Sequence, residues 1–124
     1  MTQEEKDLLM KDLCERLPYG VKFLRESWNY EWDQEMSVIE VLEDIDKDGY
    51  INNTKVYKVE DVKPFLFPLS SMTEEQKSIL SLCNAFIEPR SIELKLNFYN
   101  EQHIDYRGLI KKGLAIDATN LNIY

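Results

Sequence analysis

Apolar residues recur along the first part of the chain at the spacing of one helix face. Leu9, Leu13 and Arg16 or Leu17 form the stripe, Leu8 and Cys14 widen it, and Lys6, Lys11, Asp12 and Glu15 lie away from it. Thr2 and Glu5 make a capping box, in which hydroxyl and carboxylate each answer an orphan amide of the first turn. The pattern therefore predicts a helix over 3–16, stopped by Pro18-Tyr19-Gly20. A second box, Thr73 with Gln76, opens a helix predicted over 74–86, with Ile79, Leu82, Cys83 and Phe86 as its buried stripe and Leu80 beside them.

Short runs of β-branched and aromatic residues bounded by turn-formers predict strands at 21–25, 37–43 and 54–59. Residues 62–69 also read as extended, but Pro64 and Pro68 have no amide to donate, which confines that segment to a sheet edge or an irregular crossing. From Ile92 to His103 two periods compete. Ile92, Leu96, Tyr99 and His103 share a helix face, whereas Ile92, Leu94, Leu96 and Phe98 alternate as a strand would. Ser91 would cap a helix running to about Ile104, and Asn97, Asn100, Glu101 and Gln102, poor strand residues, favour helix for 95–103. A last short strand is expected at 114–116, and a polar tail ordered by Leu121, Ile123 and Tyr124. Together these elements predict one α+β domain spanning 1–124. In it a small, mainly antiparallel curved sheet from 21–67 packs against two or three helices, those at 3–16 and 74–86 above all.

Charge changes this picture in one region. The 124 residues carry a net charge of −8, and the excess lies entirely in 26–61, which holds eleven acidic against three basic side chains. Such a block repels phosphate, so direct nucleic-acid binding is disfavoured, and it would steer a protein partner with a basic surface. Inside it, Trp28, Tyr30 and Trp32 place three large aromatics in five residues, either plugging the core or forming a recognition loop; core plugging is the better reading. No segment approaches the roughly 18 apolar residues that span a bilayer, and the acidic N-terminus lacks the features of a secretory signal, so a cytoplasmic protein without membrane partners is expected. Cys14 and Cys83 fall in apolar helical patterns and read as small buried hydrophobes, not a disulfide or metal pair.

Candidate chemistry is sparse. Asp44, Asp46 and Asp48 with Gly49 match the front of an EF-hand calcium loop, but the twelfth position is Lys55 where a bidentate Glu belongs, so a polar hairpin turn is the stronger reading. The only histidine, His103, stands near Asp105 and Arg107 in a segment rich in both apolar and polar groups. His103 with Asp105 reads as a structural pair before a catalytic dyad, and Asp105-Tyr106-Arg107-Gly108 as a structural corner. In that corner Arg107 is expected to be held by a carboxylate or carbonyl, with Tyr106, Leu109 and Ile110 buried; Arg107 could instead hold a ligand's carboxylate or phosphate. No phosphate loop, nucleophile turn or metal-spaced His/Cys cluster is present, and no cofactor is implied.

Three stretches carry a resemblance: Lys11-Asp12-Leu13-Cys14 with Leu17-Pro18-Tyr19-Gly20-Val21; the run Val62 to Thr73; and His103-Ile104-Asp105-Tyr106-Arg107-Gly108-Leu109-Ile110, followed by Lys112-Gly113-Leu114-Ala115-Ile116-Asp117-Ala118. They resemble motifs of a family of small proteins encoded by anaerobic gut bacteria and their prophages. The resemblance implies a shared fold and, since that family has no assigned activity, no catalytic residues. The function expected is a non-enzymatic protein–protein interaction module. The alternatives are a small-ligand or weak calcium-binding protein and, third, an enzyme; Trp28, Tyr30, Trp32, His103, Asp105 and Arg107 are the candidate contacts.

Overall fold

A computed structural model describes residues 1–29 and 31–124, and of 27–29 the backbone alone. Both capping boxes form. Thr2 Oγ1 accepts the Glu5 amide at 3.1 Å while the Thr2 amide donates to the Glu5 carboxylate at 3.0 Å, opening helix α1, Gln3–Arg16. Thr73 and Gln76 do the same for α2, Glu74–Leu82. After Gly20 turns the chain with a left-handed backbone, strands β1 (Lys22–Asn29) and β2 (Gln34–Val41) make an antiparallel hairpin in register from Lys22↔Val41 to Asn29↔Gln34. Strand β3, Val62–Pro68, lies beside β1, and helix α3, Arg90–Glu101, then leads to β4 (Ile104–Asp105) and, further on, β5 (Ile116–Asp117). Both short strands pair parallel to β3, so the order β2-β1-β3-β4 is an open, mostly antiparallel sheet in a single α+β domain. The core joins Leu9 and Leu13 of α1 to Phe23, Val62 and Leu66 of the sheet and to Leu42, Ile51, Leu109 and Leu114 of the connections.

Several expectations are corrected. Residues 54–59 are not a strand: Asn52 and Asn53 both take left-handed backbone angles, and the segment folds back as a narrow loop held by isolated bridges at Ile45↔Ile51 and Tyr50↔Lys58. The proline-bearing β3 is central, not an edge. Its ladder is discontinuous: β1 reaches only residues 62–64, while β5 and β4 take 65–68, so missing amides at Pro64 and Pro68 interrupt no continuous pairing. Residues 92–101 are helical, as the asparagines favour, but Ser91 is buried inside α3, not its cap. The larger departure is α2. It stops at Leu82, passes into a 3-10 turn at Cys83–Ala85, and meets that turn instead of the sheet. Leu82 is 70% and Phe86 53% exposed, so the expected buried stripe is displayed. Cys14, expected to widen the buried α1 stripe, is exposed, and Cys83, in the 3-10 turn after α2, is half-buried.

Helix α1 buries Leu9, Asp12, Leu13 and Arg16, so Asp12, expected to lie away from the stripe, is inside with it. Asp12 and Arg16 are fully buried and pair at 2.8 Å, while a second Arg16 nitrogen donates to the Ile104 carbonyl at 2.6 Å. The other Asp12 oxygen accepts Arg107 at 2.7 Å, and Arg107 also reaches Glu15. Removing one member of a buried ion cluster leaves its partner charged and unpaired, which costs about 3–5 kcal/mol. Asp12→Ala is therefore expected to lower the unfolding free energy by about that amount, and Leu109→Ala, at a fully buried position, by about 2–5 kcal/mol. Urea denaturation measures both, and a loss below about 1 kcal/mol for Asp12→Ala would place the cluster with ordinary surface pairs.

Candidate functional site

The Asp105-Tyr106-Arg107-Gly108 corner is built inward. The Asp105 carboxylate accepts the amides of Leu109 at 2.8 Å and Ile110 at 2.9 Å, so it caps the following turn, and Gly108 supplies the left-handed backbone the corner needs. Arg107 is held by the carboxylates of Asp12 and Glu15, as its corner role requires, and the Tyr106 hydroxyl donates to Glu15 at 2.8 Å. Leu109 is buried, while Tyr106 and Ile110 are half-buried. Burial would raise the Glu15 pKa, but the hydrogen bonds from Arg107 and Tyr106 outweigh it and hold the carboxyl below its ordinary range. Burial, with the bond to Glu15, pushes Tyr106 up to about 12. Arg107 thus spends its guanidinium on two internal carboxylates.

His103 and Asp105 do not form a pair. His103 leaves the end of α3 with φ at +59°, its carbonyl accepts the Phe67 amide at 2.8 Å, and its ring stacks on Tyr124 with centroids 3.9 Å apart and planes at 11°. Tyr124 is fixed in turn: its hydroxyl donates to the Phe65 carbonyl at 2.7 Å and accepts the Lys22 amide at 2.8 Å, so the last residue is tied to β1 and β3. Beside this stack lies a cleft of about 370 Å³ walled by the end of β3, the start of α2, the end of α3 and the tail. Phe67 and Tyr124 supply its apolar surface, Gln76, Gln102 and Asn120 its amides, and Glu101 its one carboxylate. His103 Nδ1 is shut away with no hydrogen-bond partner. Burial above all, with the nearby charges of Arg16 and Lys22, holds the imidazole pKa down at about 4, so the ring is neutral near pH 7. Sequence reasoning picked out His103 and the ordering role of Tyr124 but not Phe67, Gln76, Gln102 or Asn120. These are scattered over four elements with no shared spacing, and only the Thr73–Gln76 box marked its neighbourhood.

The aspartate loop is engaged with itself. Asp46 Oδ1 accepts the amides of Asp48 and Tyr50, each at 2.9 Å, and Lys55 stands 3.5 Å from Oδ2. These backbone amide bonds, Tyr50 first, hold the Asp46 carboxyl below its ordinary pKa. Among the described residues no three His, Cys, Asp or Glu side chains are gathered to hold a metal ion, and Asp44, Asp46 and Asp48 do not converge. Trp32, expected to plug the core, is 62% exposed in the turn before β2; the Trp28 side chain and Tyr30 lie outside the described residues. Comparison with known proteins finds no family model, no curated protein and no solved structure that matches this chain.

Two outcomes are expected. Because His103 stays neutral when folded but titrates near 6.5 when unfolded, the unfolded chain binds the extra proton between pH 6.5 and about 4. Its contribution to stability is then complete above pH 6.5 and lost as pH falls toward 4. His103→Asn, which keeps a residue tolerant of the left-handed backbone, should flatten the fall in melting temperature across that window; an unchanged slope would contradict the burial of the ring. Calcium at millimolar concentration should give neither a heat in titration calorimetry nor a shifted melt, since a real site would raise stability by mass action.

Proposed function

We propose that this protein is a non-enzymatic protein–protein interaction module, working in the cytoplasm of a bacterium or carried by its prophage. The observation that carries the reading is the uncovered apolar face of α2 and its continuation: Ile79, Leu82, Phe86, Ile87 and Ile92 are all exposed, Ile87 to 86%. A contiguous apolar surface on a soluble domain marks a place where something binds, because leaving it in water forfeits the free energy of burial. Charged side chains on the same helices, Glu74, Glu75, Lys77, Arg90 and Glu93, are exposed around it, giving the polar rim of an interface. No helix of the described residues is long and apolar enough to cross a membrane, so a bilayer-spanning role does not account for the face.

A second reading has its own support. Strand β2 lies at the end of the sheet with eight residues paired only to β1 among the described residues, and it belongs to the acidic block. An extended basic segment of a partner could add to that edge, gaining ladder hydrogen bonds and charge complementarity at once. Strands β2 and β4 lie at opposite ends of the strand order.

Leu82→Ser and Ile87→Ser, at exposed positions, should each change the unfolding free energy by no more than is ordinary for a surface substitution, about ±0.5 kcal/mol, while together abolishing capture of a partner by the immobilised chain from bacterial lysate. Capture that survives these changes but disappears at moderate salt would shift the interface to β2, and capture of nothing at low salt would overturn the module reading.

A further inference from the structure

We propose that the cleft beside His103 is a binding site for a small uncharged ring compound rich in hydrogen-bonding groups, of the kind presented by a monosaccharide or a nucleoside. Its volume of about 370 Å³ falls at the lower end of small-molecule sites, roughly 300–1,000 Å³. Its chemistry is selective in two ways. Phe67 and Tyr124 give an apolar surface, while the amides of Gln102 and Asn120, the Thr119 hydroxyl and Glu101 line the same space. Amide and hydroxyl groups can each donate and accept, so together they suit a ligand with alternating donors and acceptors on a compact ring.

The second selection is against negative charge. Neither lysine nor arginine is among the residues lining the cleft. The cations whose charge reaches His103 are committed elsewhere, Lys22 Nζ to the Ile123 carbonyl at 2.6 Å and Arg16 to Asp12 and the Ile104 carbonyl. A phosphate or carboxylate would meet Glu101 with no counter-charge, and His103 is neutral at pH 7, so an anion gains nothing there. The walls are also held in place before any ligand arrives. Tyr124 is fixed by two hydrogen bonds, His103 by its stack and its carbonyl, and Gln76 and Gln102 by their mutual contact at 3.4 Å. A cleft whose side chains are already ordered spends little entropy on binding.

The test uses the full chain labelled with ¹⁵N and titrated with D-glucose and D-galactose in one arm and uridine and adenosine in the other, each beside its phosphorylated form, glucose 6-phosphate or uridine monophosphate. Saturable amide shifts at Phe67, Gln102, His103 and Tyr124 with at least one neutral probe are expected, and the arm that produces them identifies the source of the ring. The phosphorylated partner should bind about tenfold weaker or worse. Asn120→Gly, which keeps the left-handed backbone at φ +66° while deleting the amide, and Gln102→Ala should each weaken binding about tenfold, the scale of a lost polar contact. Unchanged melts for both variants would show that the walls survive, and if one variant is unfolded the other decides. No shift at these residues with any of the four neutral probes up to their solubility overturns the proposal, as does a phosphorylated probe that binds as well as its neutral parent.

Discussion

The buried cluster of Asp12, Arg16 and Arg107 is the interaction on which the rest of the architecture depends. It joins the first helix to a corner some ninety residues later, and through the Arg16 bond to the Ile104 carbonyl it fixes the start of β4. Charges taken out of water are tolerable only when each finds partners, and here the two oxygens of Asp12 serve two different guanidiniums. Tyr106 completes the arrangement: both guanidiniums lie over its ring, at 5.5 and 4.6 Å from the centroid, and its other neighbour is the stacked ring of Tyr99 on α3. The cluster thereby ties α1, α3 and the C-terminal corner into one body. Arg16 Nη1 has no hydrogen-bond partner, the one unmet demand in an otherwise closed network.

Helix α1 contributes Leu9 and Leu13 to the core shared with Phe23, Val62 and Leu66 of the sheet. Helix α2 is displaced to the outside, tethered at one end by the turn after β3 and at the other by the 3-10 turn before α3. Its apolar residues keep helical spacing, yet the core is already filled by Leu109, Leu114 and Ala115 from the C-terminal segment. The displaced helix serves two ends of the molecule: its first turn walls the cleft beside His103, and its far end presents the apolar face.

The cleft rests on how Tyr124 is held. Tyr124 pins the tail across β1 and β3, and the His103–Tyr124 stack converts a polar tail into one wall of a cleft. The acidic hairpin sits at the other edge of the sheet, where Arg25 and Tyr57 hold Glu40 by hydrogen bonds that outweigh its burial and keep it ionised below its usual pKa.

Much of the local structure was legible in the residues themselves. The capping boxes at Thr2 and Thr73, the helix rich in asparagine and glutamine before His103, the strands on either side of the acidic hairpin and the structural use of Arg107 all follow from short-range patterns, because caps, turns and periodicity act over a few residues. The α+β class follows from the same evidence. What the residues alone did not decide is which apolar stripe would win the core. Leu9 and Leu13 are buried and Ile79 and Leu82 are not, although both stripes have the same period, since coverage is a competition among distant segments for a single surface. Nor could spacing reveal that Asp12 belongs inside, for its partners Arg16 and Arg107 justify that burial only once the chain has folded back on itself. The cleft is of the same kind: its lining residues are assembled from three elements and the tail, and contacts between segments far apart in the chain leave no period for a sequence to display.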